Sequence, residues 1–119
     1  MKILLVDDEK ELVTAMAERL ELRGLEAHWA LGGEQALMRV AKCDYDVAVL
    51  DMKMPGLSGL ELRRILSERC PSMKFIFLSG HGSEDDFKAG SAEAESYLIK
   101  PVSIEDLMNK IREATSGGE

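Results

Sequence analysis

Five residues with charged or hydroxyl side chains stand at the ends of short apolar runs. They are Asp7 and Asp8 after the first run, Asp51 after the third, Ser79 after the fourth and Lys100 after the fifth. A carboxylate can be the nucleophile of a phosphoryl transfer, while a lysine and a hydroxyl bind the oxygens of the transferred group. Clustered carboxylates repel one another without a cation, and Mg²⁺ suits such an oxygen-rich pocket. The set predicts Mg²⁺-dependent phosphoryl transfer in which Asp51 attacks in line.

These residues meet only if the apolar runs are neighbouring strands of one sheet. Five runs have the length and composition of buried strands, at 3–6, 25–29, 47–50, 75–78 and 97–99. Each is followed by an amphipathic stretch typical of a helix, at 12–20, 36–41, 58–66, about 83–92 and 103–111. Gly24 and Pro71 are helix-ending signals, and Ser58 and Ser103 are predicted to cap the third and fifth helices.

Five strand–helix repeats predict an α/β fold. We expect a doubly wound parallel sheet with the flavodoxin-like strand order 2-1-3-4-5 and five helices on both faces. Ligands of such sheets bind beyond the carboxyl ends of the strands where the order reverses, here between strands one and three. Asp7, Asp8 and Asp51 are expected to converge there, beside Ser79 and Lys100. Taken singly, each residue also fits an ordinary strand end, helix start or loop, and only their joint placement favours a site.

Length and composition limit the other possibilities. The 119 residues fit one domain, predicted at 1–115, with 116–119 as a flexible tail or the start of a linker. A net charge of −7 without a Lys/Arg run argues against direct binding of nucleic acid or membrane. The two distant cysteines are typical of a reducing compartment. The first apolar run is too short for a signal peptide or a membrane span, which predicts a cytoplasmic location.

Four segments resemble the successive motifs of the response-regulator receiver domain, the phosphoacceptor module of bacterial two-component signalling. They are LLVDDE, LDMKMPGLSGLEL, FLSGHG and YLIKPV, in the family's order and spacing over nearly the whole chain. The resemblance implies phosphorylation of Asp51 by a histidine kinase or histidine phosphotransfer protein, with small acyl phosphates as substitutes. It also implies a signalling domain rather than an enzyme, one that catalyses only its own phosphorylation and dephosphorylation.

The resemblance assigns the acidic residues to a Mg²⁺ site. Asp8 and Asp51 would bind the ion together with the backbone carbonyl of Lys53, and Asp7 would hold metal-bound waters. Lys53 and His81 flank the pocket in the family, so a role in tuning access of the hydrolytic water is expected, with plain surface positions as the alternative.

The resemblance also assigns a switch. Ser79, where many members have Thr, would be the switch hydroxyl, Lys100 the phosphoryl-pairing lysine and Tyr97 the switch aromatic. Ser79 is expected to move toward the phosphoryl group while Tyr97 swings inward from a solvent-facing position. This would alter an output surface formed by the fourth helix, fifth strand and fifth helix, which would contact an output domain or a second copy. A cis Lys100–Pro101 bond and a shortened fourth helix are expected as well.

Two other classes of protein remain open from the sequence. A Mg²⁺-dependent phosphohydrolase of the haloacid-dehalogenase type also forms an aspartyl-phosphate, but it resembles D-x-D after the first strand and has a cap domain. This chain has adjacent Asp7 and Asp8 there and no room for a cap. A binding module that has lost phosphorylation is the third class, and the complete acidic set with Lys100 argues against it. Phosphomonoester turnover and Mg²⁺ binding distinguish the three.

Overall fold

The computed structural model describes residues 1–80 and 96–116, and they form a five-stranded parallel sheet with helices on both faces. The strands are β1 Lys2–Val6, β2 Glu26–Ala30, β3 Val47–Asp51, β4 Lys74–Ser79 and β5 Ser96–Ile99. They lie side by side in the order β2-β1-β3-β4-β5, which confirms the predicted order.

Four helices lie within the described residues. They are α1 Lys10–Leu22, α2 Gly33–Val40, α3 Gly59–Arg69 and the C-terminal helix Ile104–Ser116. The helix predicted at about 83–92 lies outside the described residues. The C-terminal helix includes Ser116, the first residue of the predicted tail, and 117–119 are again outside the described part. Within that part, no helix has both the length and the apolar character needed to cross a membrane.

Side chains of the central strands alternate between two hydrophobic layers. Ile3 and Leu5 of β1 pack beneath α1 and the C-terminal helix, whereas Leu4 and Val6 pack beneath α2 and α3. This period of two follows from the pleat of a strand. Because both faces are covered, the interior of each central strand is apolar, and a polar residue stands at or just beyond its carboxyl end.

The third helix begins where the sequence predicts it. The Ser58 side chain accepts a hydrogen bond from the Glu61 backbone N–H at 3.2 Å, and the Glu61 carboxylate accepts one from the Ser58 N–H at 3.0 Å. This reciprocal pair satisfies two N–H groups that a helix start leaves without partners. Ser103 caps the C-terminal helix in a similar way, accepting from the Asp106 N–H at 3.1 Å.

The second strand begins one residue later than predicted, at Glu26 rather than Leu25. Gly24 ends α1 with a φ of +88°, a backbone conformation that favours glycine. The Leu25 N–H then donates to the Leu20 carbonyl at 3.1 Å, back across the helix terminus. Leu25 is therefore used to complete the end of α1 and is not free to pair with β1.

Side chains of the flanking helices cover the outer edge of β2. Glu21 of α1 accepts a hydrogen bond from the Ala27 N–H at 2.6 Å. Arg39 of α2 donates through Nε to the Trp29 carbonyl at 3.1 Å. Gln35, also on α2, accepts from the Leu31 N–H just beyond the strand at 2.9 Å. These bonds occupy backbone groups that an edge strand otherwise offers to solvent or to another chain.

Candidate functional site

The predicted site residues lie at the carboxyl edge of the sheet. Asp7 follows β1, Asp51 is the last residue of β3, Ser79 is the last residue of β4 and Lys100 follows β5. The pairing of Val6 with Leu50 puts the ends of β1 and β3 side by side. This is the point where strand order reverses, so the topology itself brings Asp7 and Asp51 together.

Three carboxylates form the centre of the site. Asp7, Asp8 and Asp51 each offer an oxygen within 4.8 Å of the others, a spacing that one metal ion can bridge. Asp7 and Asp51 are buried, whereas Asp8 is exposed. A hard cation with oxygen ligands and several retained waters suits such a half-open acidic cluster.

Lys100 reaches over this cluster from the end of β5. Its Nζ lies 2.7 Å from Asp7 Oδ2 and 3.5 Å from Asp51 Oδ2. The Lys100 backbone N–H donates to the Ser79 carbonyl at 2.8 Å, which ties the lysine to the end of β4. The peptide bond between Lys100 and Pro101 is cis, as predicted.

The acidic cluster and its burial shift the pKa of Asp51. Burial and the adjacent Asp7 carboxylate raise the pKa of Asp51 from 3.8 to about 6, although Lys100 and the Lys53 backbone N–H act in the opposite direction. Burial alone would lower the pKa of Lys100, but its hydrogen bond to Asp7 and the negative charge of Asp51 raise it. The negative charge of the carboxylate cluster is therefore not fully compensated by Lys100, and the lysine itself is held in its charged form.

The segment after Asp51 is held in place at both of its ends. Met52 and Met54 are buried on either side of the exposed Lys53. The Gly59 N–H donates to the Met52 carbonyl at 3.1 Å, and a Cβ at Gly59 would lie 2.2 Å from the Asp51 carbonyl oxygen. Only glycine fits this close approach, so Gly59 lets α3 begin directly against the end of β3.

The two switch residues have different surroundings. Ser79 is buried, and its hydroxyl donates to the adjacent Gly80 carbonyl at 3.1 Å. Tyr97 is half-buried and packs against the layer beneath α2 and α3, with its hydroxyl atom buried. The expectation of a solvent-facing Tyr97 is therefore wrong for this structure. Alternation along a strand does not indicate how deeply a ring lies. His81 lies outside the described residues.

Glu9 is a site residue that the sequence analysis missed. Its Oε1 lies 3.2 Å from Lys100 Nζ, closer than the Asp51 carboxylate. The only sequence signal is its position directly after Asp7 and Asp8, where an acidic residue is also ordinary at a helix start.

The fold and this site together define a phosphoacceptor switch of the receiver type. The family model described as "Response regulator receiver domain" matches residues 3–112. The chain therefore belongs to the response-regulator receiver family, whose members are signalling domains.

Individual relatives agree with this assignment. The chain is 35% identical to the two-component response regulator PhoP of Pseudomonas aeruginosa, over 98% of this chain and 54% of that protein. It is 34% identical to the phosphate regulon transcriptional regulatory protein PhoB of Rhizobium meliloti, over 93% of this chain and 50% of that protein. The chain thus spans about half the length of these curated relatives.

Solved structures share the fold. A response regulator receiver domain protein of Clostridium thermocellum is 37% identical, with a TM-score of 0.86 over 96% of this chain and 93% of that one. The response regulator TrrA of Thermotoga maritima is 32% identical, with a TM-score of 0.83 over 95% of this chain and 97% of that one. The TrrA structure is a complex with Mg²⁺-BeF.

Proposed function

We propose that Asp51 is the phosphoacceptor of this receiver domain. The observation that carries the proposal is its placement: a buried carboxylate at the end of β3, within 4.8 Å of the oxygens of Asp7 and Asp8 and 3.5 Å from Lys100 Nζ. A nucleophile and a cation stand together there, beside two acids able to bind a divalent ion. This combination is what transfer to a carboxylate requires.

The transfer forms one bond and breaks one bond at phosphorus. An Asp51 carboxylate oxygen attacks phosphorus, and the bond from phosphorus to the donor breaks. With a phosphohistidine donor, the imidazole nitrogen keeps the electron pair and takes up a proton. With acetyl phosphate, acetate leaves. Water later attacks the aspartyl-phosphate, which releases inorganic phosphate and restores the carboxylate. The domain thus catalyses its own modification and its reversal.

Mg²⁺ fits the residues that are present. Asp8 and Asp51 would bind the ion with the Lys53 backbone carbonyl, and Asp7 would act through a bound water. The ion would neutralise the carboxylates and the phosphoryl oxygens. Lys100 contributes a second positive charge directly, because it lies over the same carboxylates. The raised pKa of Asp51 without an ion is consistent with a site built for a cation.

Ser79 and Tyr97 would transmit the change. The Ser79 hydroxyl now donates to a backbone carbonyl, and a phosphoryl oxygen on Asp51 would offer it a stronger, anionic acceptor. Since Tyr97 is already half-buried, its response would be a rearrangement within the layer beneath α2 and α3. The output surface would comprise the segment at 83–92, β5 and the C-terminal helix. Lys53 and His81 would tune the access of water to Asp51.

The family and its relatives support the expected partners. A histidine kinase or a histidine phosphotransfer protein would supply the phosphoryl group in the cytoplasm. The chain spans about half the length of relatives such as PhoB, a transcriptional regulatory protein. The output would therefore involve a further domain, a second copy or a separate protein, without direct contact between this domain and nucleic acid or membrane.

Acetyl phosphate with Mg²⁺ tests the proposal. Intact mass followed by peptide mapping should show one added phosphoryl group on Asp51, removed by hydrolysis over time. Asp51→Asn should abolish the modification, since the amide is nearly isosteric but is not a nucleophile. Asp44→Asn makes the same chemical change at an exposed acid and should have no effect. Modification of Asp51→Asn at the parental rate would refute the assignment, and steady turnover of phosphomonoesters would favour a phosphohydrolase instead.

A further inference from the structure

The Lys100 ammonium is surrounded by three carboxylates, one of which has no part in the chemistry proposed above. Its Nζ lies 2.7 Å from Asp7 Oδ2, 3.2 Å from Glu9 Oε1 and 3.5 Å from Asp51 Oδ2. An ammonium group has three N–H donors and no acceptor. Lys100 donates a hydrogen bond to Glu9, and Asp7 and Asp51 are ion-paired with it.

Glu9 stands at an unusual position for its residue type. It is the N-cap residue of α1, but its side chain does not cap the helix. Ser, Thr, Asp and Asn are preferred at an N-cap because their short side chains reach the N–H groups of the first turn. The Glu9 carboxylate instead accepts a hydrogen bond from Lys100, with 3.2 Å between Nζ and Oε1. Its backbone N–H donates to Asp7 Oδ1 at 2.9 Å, so Asp7 holds both members of the Glu9–Lys100 pair.

We propose that Glu9 is a competing counter-ion, a positioning residue that holds Lys100 in the unphosphorylated protein and releases it when Asp51 is phosphorylated. The inference rests on the proposed function and adds a residue that sets how readily the site accepts a phosphoryl group. A phosphoryl group on Asp51 carries more negative charge than the carboxylate it replaces and draws Lys100 toward it, so the pairs that Lys100 makes with Asp7 and Glu9 compete with it.

Burial decides which carboxylate gives way. The Asp7 side chain is 2% exposed, and removing its cation would leave a buried charge without compensation. The Glu9 side chain is 64% exposed, so water solvates its carboxylate at once when Lys100 moves away. Asp51 no longer competes, because phosphorylation converts its carboxylate into an uncharged acyl group that carries the phosphoryl group. Glu9 is therefore the partner that Lys100 exchanges for the phosphoryl group.

The expected effect of losing this competitor is small and opposite in sign to ordinary damage. Exposed ion pairs change an equilibrium by about two- to fivefold. Glu9 also places a negative charge beside an incoming phosphoryl group, which acts in the same direction. Removing the charge should therefore accelerate phosphorylation, whereas a merely structural role for Glu9 would slow it.

Initial rates of Asp51 modification over a range of acetyl phosphate concentrations, with Mg²⁺ and intact-mass detection, test the inference. Glu9→Gln should raise the ratio of the maximal rate to the half-saturating donor concentration by about two- to fivefold. Glu11→Gln removes the same charge from an exposed acid in the first turn of α1 and should leave the ratio unchanged. Glu9→Asp keeps the charge on a side chain one methylene shorter, which weakens the contact, and should raise the ratio by less than Glu9→Gln does, because the charge remains near the site.

Each other result overturns the inference. A Glu9→Gln ratio equal to or below that of the parent means that Glu9 does not compete for Lys100. An equal rise in Glu11→Gln means that net charge alone is responsible. A parental ratio in Glu9→Asp means that charge at the entrance matters and the contact does not. A parent that is never modified on Asp51 would refute the proposed function itself, whereas the results above leave that function standing.

Discussion

Asparagine at position 51 is expected to stabilise the metal-free protein against unfolding. Burial and the Asp7 charge raise the pKa of Asp51 from 3.8 to about 6, so the folded state binds its proton more tightly than the unfolded state does. The stability that this proton contributes is complete below the unfolded pKa and is lost as the pH rises through the folded pKa. At neutral pH the parent must therefore fold with an unfavourable buried charge that asparagine lacks.

The size of this effect follows from the shift. Each pKa unit corresponds to about 1.4 kcal/mol, so a shift of roughly two units makes the charged Asp51 destabilising by about 3 kcal/mol. The Asp51 side chain is only 7% exposed, so solvent screens little of this energy. Asp51→Asn should match the parent near about pH 4 and exceed its free energy of unfolding by up to about 3 kcal/mol near about pH 8.

Urea unfolding in the presence of a chelator, repeated across this pH range, measures the difference. Adding Mg²⁺ should then reduce the difference in the free energy of unfolding between Asp51→Asn and the parent. The ion stabilises only a folded state that binds it, and the parent has one carboxylate ligand more than the variant. Asp44→Asn, at an exposed acid, controls for the loss of one negative charge and should show little change. A difference between Asp51→Asn and the parent that is absent at about pH 8, or equal at all pH values, would refute the electrostatic reasoning.

Three further predictions follow from the site. Asp8→Ala should weaken Mg²⁺ binding more than any change at another acid that is not phosphorylated; calorimetry giving parental affinity would contradict its role as a ligand. Gly59→Ala should destabilise the fold severely, because its Cβ would lie 2.2 Å from the Asp51 carbonyl oxygen. Gly32→Ala is the control, since a Cβ there meets nothing within 4 Å. Equal urea midpoints for the two variants would show that the close approach is not maintained in solution. A beryllofluoride mimic on Asp51 should change amide hydrogen exchange in β5 and the C-terminal helix, and changes confined to the loops around Asp51 would argue against the proposed output surface.

The placement of the site could be predicted because polar residues stand at the carboxyl ends of largely apolar strands. In a sheet covered on both faces, Asp51 or Lys100 marks the point where a strand leaves the core, and the carboxyl ends of parallel strands share one edge. The capping of α3 by Ser58 was predictable for a similar reason, since it depends on residues three apart in the chain.

Features that depend on long-range contacts could not be predicted in this way. Glu9 is 91 residues from Lys100, and nothing in its local pattern distinguishes it from an ordinary acid in a first helical turn. The depth of the Tyr97 ring is set by the packing of the layer beneath α2 and α3, which alternation along one strand does not describe. His28 of β2 is hydrogen-bonded through Nδ1 to the hydroxyl of Tyr45, in the loop before β3, at 2.6 Å, and neither segment indicates this pairing alone.

The covered edge of β2 limits how copies of this domain can associate. A parallel sheet with an open edge can grow by adding a strand from another molecule, which leads to runaway fibre formation or strand exchange. Here such addition would first have to displace the Glu21 and Arg39 side chains from the backbone of β2. Both helices would lose those bonds before any intermolecular ladder formed. Strand addition on this side of the domain is thereby disfavoured.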